Sequence, residues 1–280
     1  MITYFPAIYP DELVYSWFCR YYVHSGCLNR KTVLRELFCI NSENPNEKLI
    51  GNLRPEVMEQ FERMYSIDKL VLEHTMYPQY ARFFPSSQKK QFFDMFSIPS
   101  GDKYFRFCLA CVIEDRDIYG ETYWHRKHQI HTITACTKHR CRLVESMVSA
   151  NNEQTHTFYP AEDHVFEAET EPVSNELIRY AAYLEAMFDV PMDLENDIPI
   201  HLLLYDRISQ QEYLKPAERK QCIRKFAEEM QRFYRSIGLY HVASGHQIQK
   251  VLMGERFDFS VVCQIAYFLG ITPEELTVLS

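Results

Sequence analysis

The sequence predicts a mostly α-helical protein, with helical bundle and helix-turn-helix elements around a small cysteine- and histidine-rich core that carries short β-hairpins. Three observations predict it. Apolar residues recur at three- and four-residue spacing through both ends of the chain. Residues 105–141 gather four of the nine cysteines and four of the eleven histidines. Residues 146–172 then lose periodicity and turn polar and acidic, as a loop or weak hairpin does. The expected organisation is a helical N-terminal region over 1–100 with a candidate helix-turn-helix, a cysteine–histidine region with an acidic loop over 101–172, and a helical, helix-turn-helix-like region over 173–280.

The first helix carries Leu13, Val14, Trp17, Phe18, Tyr21 and Tyr22, with Asp11 as its expected cap and Gly26 as its stop. These aromatics read as core. A second helix runs near 31–39 through Val33, Leu34, Leu37 and Phe38, and a polar loop follows over 41–52. Pro55 suits the first turn of a third helix, which carries Val57, Met58, Phe61 and Met64. Further helices are expected over 66–74 and 88–96, and Gly101-Asp102 turns the chain into the cysteine–histidine segment. Past the acidic stretch, Ser174 is placed to cap a helix reaching Phe188. Successive helices then read over 200–209, 216–237, 245–253, 259–269 and 273–279.

With 280 residues, the length suggests about two domains, and 46% apolar with 24% charged residues is ordinary for a globular protein. No stretch approaches the ~20 uninterrupted apolar residues of a membrane span. The N-terminus lacks the basic start and apolar run of a secretory signal, so a cytoplasmic protein is expected. An odd, unevenly spaced set of cysteines does not make a disulfide framework. The net charge of −8 disfavours nucleic acid on average, but the charge is uneven. Residues 151–200 hold twelve acidic residues and one basic one, a net −11, which leaves +3 for the remainder. Residues 215–235 carry seven basic and three acidic residues, a local +4. Blocks of opposite sign mark different surfaces, or simply solvated helix faces.

Cys108-Leu-Ala-Cys111 sets two thiols two residues apart, and Cys136-Thr-Lys-His139 follows after twenty-four intervening residues. Zinc takes four tetrahedral nitrogen or sulfur ligands, and pairs spaced by two close a knuckle on each side of the ion. Cys108, Cys111, Cys136 and His139 supply the full set for one structural Zn2+, with no position left for a reacting water. Cys141 offers a fourth sulfur in place of His139, at a spacing less usual for a knuckle; His139 is taken as the ligand and Cys141 as a supporting or packing residue. A thioredoxin-like use of Cys108 and Cys111 expects a βαβ context that the sequence does not offer. His125, His128 and His131, three apart, suggest a second metal site, but no carboxylate partner is obvious nearby. Trp124, Ile130 and Ile133 point to a buried element instead. No GxSxG, HExxH, Walker or GxGxxG pattern accompanies them.

These residues resemble a known family. "RFCLACVIEDRDIYGETYWHRKHQI" followed by "CTKHRC" is similar to the zinc-ribbon-like core of the TniQ/TnsD family, the target-selection proteins of heteromeric bacterial transposons. Arg106, Cys108, Cys111, Tyr119, Gly120, Glu121, Tyr123, Trp124, Arg126, Cys136 and His139 match its pattern. The opening "YFPAIYPDELVYSWFCRYYVHSG" resembles the family's start. "LVLEHTMYPQYARFF", with Glu73-His74-Thr75 and Pro78, resembles a segment of the longer TnsD branch. The resemblance covers about residues 3–145. Leu109 and Thr137 stand where the family usually has proline. The resemblance implies a non-enzymatic, bacterial adaptor that recognises or is guided to target double-stranded DNA. It also implies recruitment of the AAA+ ATPase regulator (TnsC-type), which admits the transposase subunits. TnsD-like members read an attachment site by sequence, whereas shorter TniQ members ride on a CRISPR effector complex.

The C-terminal "GHQIQKVLMGERFDFSVVCQIAYFLGITPEEL" reads either as the latter half of a repressor-type helix-turn-helix or as an ordinary helical bundle. In the first case residues 245–253 form the recognition helix, and Ser244, His246, Gln247, Gln249 and Lys250 face the major groove. Lys215, Arg219, Lys220, Arg224, Arg232 and Arg235 then meet phosphates. The leading expectation is a zinc-stabilised DNA-binding target-selection adaptor. Its rivals are a protein adaptor that bridges a CRISPR effector to the ATPase without reading DNA and, remotely, a metalloenzyme using His125, His128 or His131.

Overall fold

A computed structural model gives the fold, and it describes residue 2 and residues 4–39, 50–94, 104–150, 158–210 and 219–277. Most of the expected 41–52 loop, the turn at Gly101-Asp102, Lys215 and the last residues of the chain lie outside that set. The chain divides into two compact units. One comprises residues 1–78, 91–131 and 138–172; the other comprises 79–90, 132–137 and 173–280.

The fold is mostly helical, with a few short antiparallel strands. Helix α1 (Val14–His24) turns Trp17, Phe18 and Tyr21 inward, and Gly26, at φ +66°, stops it in a conformation open to glycine. The expected cap fails. Asp11 itself sits at φ +56°, and its carboxylate instead accepts the Lys127 N–H at 3.0 Å. Helix α2 (Arg30–Leu37) starts at Asn29, whose side chain accepts the Lys31 N–H. Helix α3 (Pro55–Glu62) places Pro55 in its first turn, where no N–H is needed. Helix α4 (Ile67–His74) is capped by Ser66. A short helix α5 (Tyr77–Ala81), which Pro78 obscured in the sequence, precedes α6 (Ser86–Asp94).

In the first unit Phe5, Trp17, Phe18, Tyr21 and Phe61 pack ring against ring, with Phe5 stacked on Tyr21 at 4.4 Å and Trp17 tilted against Phe61 at 5.0 Å. Strand β1 (Tyr104–Phe107) leads into helix α7 (Leu109–Tyr119). After it, β2 (Ala135–Cys136) and β3 (Cys141–Arg142) form a small hairpin. Strand β4 (Val144–Ser149) returns antiparallel to β1, pairing Arg106 with Glu145 and Phe107 with Val144. Of the two short antiparallel pairs, β2–β3 is local, whereas β1–β4 joins segments some forty residues apart. Glu162 takes Arg116 at 2.9 Å and the Thr122 N–H at 2.9 Å, and Glu171 takes Arg142 at 3.0 Å. Part of the acidic stretch thus stitches this unit together rather than standing free.

The second unit is a helical bundle of α8 (Asn175–Asp189), α9 (Ile200–Gln210), α10 (Arg219–Ser236), α11 (Gly245–Leu252), α12 (Phe259–Phe268) and α13 (Pro273–Thr277). Ser174 caps α8 as expected, and Asp258 caps α12. Its core includes Leu184, Met187, Leu204, Met230, Ile248, Val262 and Leu276. Buried Arg82 donates to the Phe188 and Val190 carbonyls that end α8, satisfying acceptors a helix leaves open there. Lys89 donates to the Asp193 and Asn196 carbonyls of the loop that follows. Cys19 in the first unit and Cys263 in the second are fully buried, and burial pushes both thiols up, so they pack as small apolar groups. Among the described residues no helix is long and apolar enough to cross a membrane.

Candidate metal centre

Strand β1 delivers Cys108 to the residue before α7, and Cys111 falls in the first turn of that helix. First-turn N–H groups have no partner within a helix and carry its positive dipole end, so this is a favourable place for anionic sulfur. Leu109, where the family resemblance expects proline, is the first helical residue. Proline and leucine both suit that position, so the departure leaves the turn intact. On the other side, Cys136 ends β2, Cys141 starts β3, and His139 lies in the turn between them. Arg140 closes that turn at φ +56°. Thr137, the second departure, donates its hydroxyl to Glu185 at 2.8 Å, a bond proline could not make.

The ligand atoms of Cys108, Cys111, Cys136 and His139 all lie within 4.8 Å of one another, so these four residues are placed to hold a metal ion. His139 turns Nδ1 inward, 3.5 Å from Cys108 Sγ and 3.3 Å from Cys111 Sγ. Its Nε2 faces outward, 3.4 Å from the Glu114 carboxylate. A carboxylate behind a ligating histidine fixes the tautomer that leaves the inner nitrogen bare for metal. Lys138 also bonds Glu114 and holds that carboxyl below its ordinary range. The donor set, three sulfurs and one imidazole, suits a soft or borderline ion in tetrahedral geometry. Cys141 is buried, with Sγ 3.5 Å from Cys108 Sγ.

The strand–helix context that the sequence was not expected to offer around Cys108 and Cys111 is present. Its sheet, however, is antiparallel and two-stranded, so it is no βαβ unit. Among the described residues, His125, His128 and His131 form no second cluster of metal-ligand donors. His125 Nε2 meets Asp115 at 2.8 Å, a carboxylate partner on α7, ten residues upstream, that sequence reasoning missed. His128 is buried, with Nε2 3.8 Å from Cys111 Sγ; burial holds its imidazole well below the ordinary pKa.

The motif between the metal half-sites joins the N-terminal helices to the metal segment. Gly120 ends α7 at φ +81°. Glu121 accepts from Arg20 at 2.9 Å and Tyr9 at 3.2 Å, and His24 Nε2 sits 2.9 Å from it. Trp124 is fully buried, stacks on Phe105 at 5.1 Å and donates to the Tyr159 carbonyl at 2.9 Å. Arg126 donates to the Leu72 carbonyl at 2.8 Å, and Arg106 to that of Ile130 at 2.9 Å. Glu12 and His125 form a backbone bridge beside them.

In the second unit, Ser244 and Gln247 form a capping box at the start of α11, with the Gln247 side chain accepting the Ser244 N–H at 2.9 Å. That amide oxygen is therefore engaged by the helix end. His246 is exposed, and Gln249 and Lys250 are half-buried. Arg224, Arg232 and Arg235 are exposed along α10, with Glu228 among them bonded to Arg224 at 3.0 Å. Arg219 and Lys220 open that helix.

The family model described as TniQ matches residues 3–143, which take in α1 to α7 and all four clustered donors. The transposon Tn7 transposition protein TnsD of Escherichia coli is 25% identical over 233 residues, covering 74% of this chain and 44% of that protein. The chain thus spans less than half the length of that relative.

Proposed function

Since the chain belongs to the TniQ family, we propose that it is a non-enzymatic target-selection protein of transposition. In this reading it marks a site on duplex DNA and recruits an AAA+ ATPase regulator of the TnsC type, which admits the transposase. The observation that carries the reading is the family match across the N-terminal helices and the metal segment together. One zinc ion on Cys108, Cys111, Cys136 and His139 is structural: when bound it cross-links α7 to the β2–β3 turn and neutralises sulfur charge. The chain's own residues do the rest. Glu121, Trp124 and Arg126 transmit that rigidity to α1 and α4 within the same unit.

DNA recognition is assigned to the second unit. His246, Gln249 and Lys250 read base edges from α11, while Ser244 and Gln247 keep the helix start in shape. Arg224, Arg232 and Arg235, with Lys215, Arg219 and Lys220 before them, meet phosphates. One observation favours a second reading, an adaptor carried by a CRISPR effector complex: Glu228 interrupts the arginine row. Nothing among the described residues adds support to the metalloenzyme reading: His125, His128 and His131 form no cluster of metal-ligand donors of their own.

Selection of bound duplexes from a randomised pool, followed by footprinting, tests the first reading. An enriched sequence is expected. Arg232→Ala should weaken all duplexes and lower the salt slope by about one, whereas Lys250→Ala should relax one position of the site. No enrichment, with capture only by a guide-RNA effector complex, would establish the second reading instead.

A further inference from the structure

We propose that His128 is a fixed hydrogen-bond donor to the Cys111 sulfur, and so a positioning residue of the metal centre outside its four donors. This rests on the reading that the four-donor cluster holds a metal ion. His128 lies seventeen residues from Cys111 in sequence, yet its Nε2 is 3.8 Å from Cys111 Sγ, a normal length for a hydrogen bond to sulfur. The ring is buried, and its Nδ1 has no hydrogen-bond partner among the described residues.

A neutral imidazole carries one N–H, and the surroundings choose which nitrogen bears it. Placed on Nδ1, the hydrogen would be a buried donor with no acceptor, one of the rarest arrangements in folded proteins. Placed on Nε2, it points at the sulfur and leaves only a bare acceptor unpaired, which is the milder deficit. The geometry therefore selects the Nε2–H tautomer.

The ring is also held from behind. His125 packs against it at 4.9 Å between ring centres. His125 itself is pinned by Asp115 at 2.8 Å, and Asp115 is steadied by the Thr122 hydroxyl at 2.8 Å. Gln129 fixes the His125 carbonyl at 2.9 Å.

Chemically, three thiolates and a neutral imidazole around a dication leave one net negative charge in a buried site. A donor to one thiolate draws off part of that charge and makes the sulfur less available to protons, electrophiles and competing chelators. Supporting residues of this kind typically change metal affinity by about 10–100-fold.

The test uses the whole chain loaded with Co(II), whose sulfur-to-metal charge-transfer band reports electron density on the thiolates. His128→Leu should move that band to lower energy and speed zinc transfer to a chromophoric chelator by about 10–100-fold. His128→Gln, which restores an N–H near the same place, should recover most of both. Long-range 1H–15N spectra of the zinc-loaded wild type should show the proton on Nε2, which serves even where the leucine variant does not fold. An unchanged band and transfer rate in His128→Leu, or a proton on Nδ1, would overturn the assignment. A wild-type chain that binds no metal would instead overturn the metal reading beneath it.

Discussion

Glu12 offers a sharp test of how the first unit is put together. Its side chain is fully buried; Oε2 accepts from Arg20 at 2.7 Å and from the Tyr9 N–H at 2.9 Å, while Oε1 has no partner among the described residues. Burial pushes its carboxyl up to about 7, against the pull of Arg20. In the unfolded chain the same group keeps its proton only up to about pH 4.5. Between those values the folded state binds more protons, so the stability this group contributes falls as pH rises, by about 3 kcal/mol in all. Glu12→Gln keeps an acceptor for Arg20 and Tyr9 but cannot titrate. Urea unfolding of both proteins at pH 5, 6, 7 and 8 isolates the effect, since other titrating groups largely cancel in the difference. The variant should gain on the wild type by about 3 kcal/mol across that range. A wild type that gains on the variant as pH rises would show that Arg20's attraction outweighs burial, and would refute the reasoning.

Three further outcomes follow from packing and caps. Trp124→Ala should cost about 3–5 kcal/mol in urea unfolding, because it empties a fully buried site and removes the bond to Tyr159. Gly120→Ala should cost about 1 kcal/mol from backbone strain alone at φ +81°, since nothing lies within 4 Å of the added carbon. Ser244→Ala should cost about 1 kcal/mol and raise amide exchange at the start of α11, because it removes the capping box.

Much of the helical framework was legible because its signals are local. Pro55, Ser66 and Ser174 mark helix starts by chemistry that acts within one turn, and Gly26 marks a stop. Spacing likewise marked Cys108, Cys111, Cys136 and His139, because each pair of ligands sits within one short local turn. What escaped notice depends on longer range. Helix α7 does not announce itself, because Ile113 and Ile118 are exposed and blur the apolar face. The pairing of β1 with β4 spans about forty residues, and short strands carry too few residues for alternation to be read. Asp11 looked like a cap from its neighbours alone. Its real partners, Arg126 and Lys127, are more than a hundred residues away. The partner of His125 was hidden for a related reason: Asp115 faces it only once α7 has formed.

The central claim is that the cysteine–histidine cluster is a closed structural metal shell. Metal analysis of the purified chain, with Cys108→Ser and Cys141→Ser beside the wild type, tests it most directly. One zinc per chain is expected, retained in Cys141→Ser and lost together with cooperative unfolding in Cys108→Ser. A folded wild type free of metal would contradict the account, as would zinc that survives Cys108→Ser and disappears in Cys141→Ser.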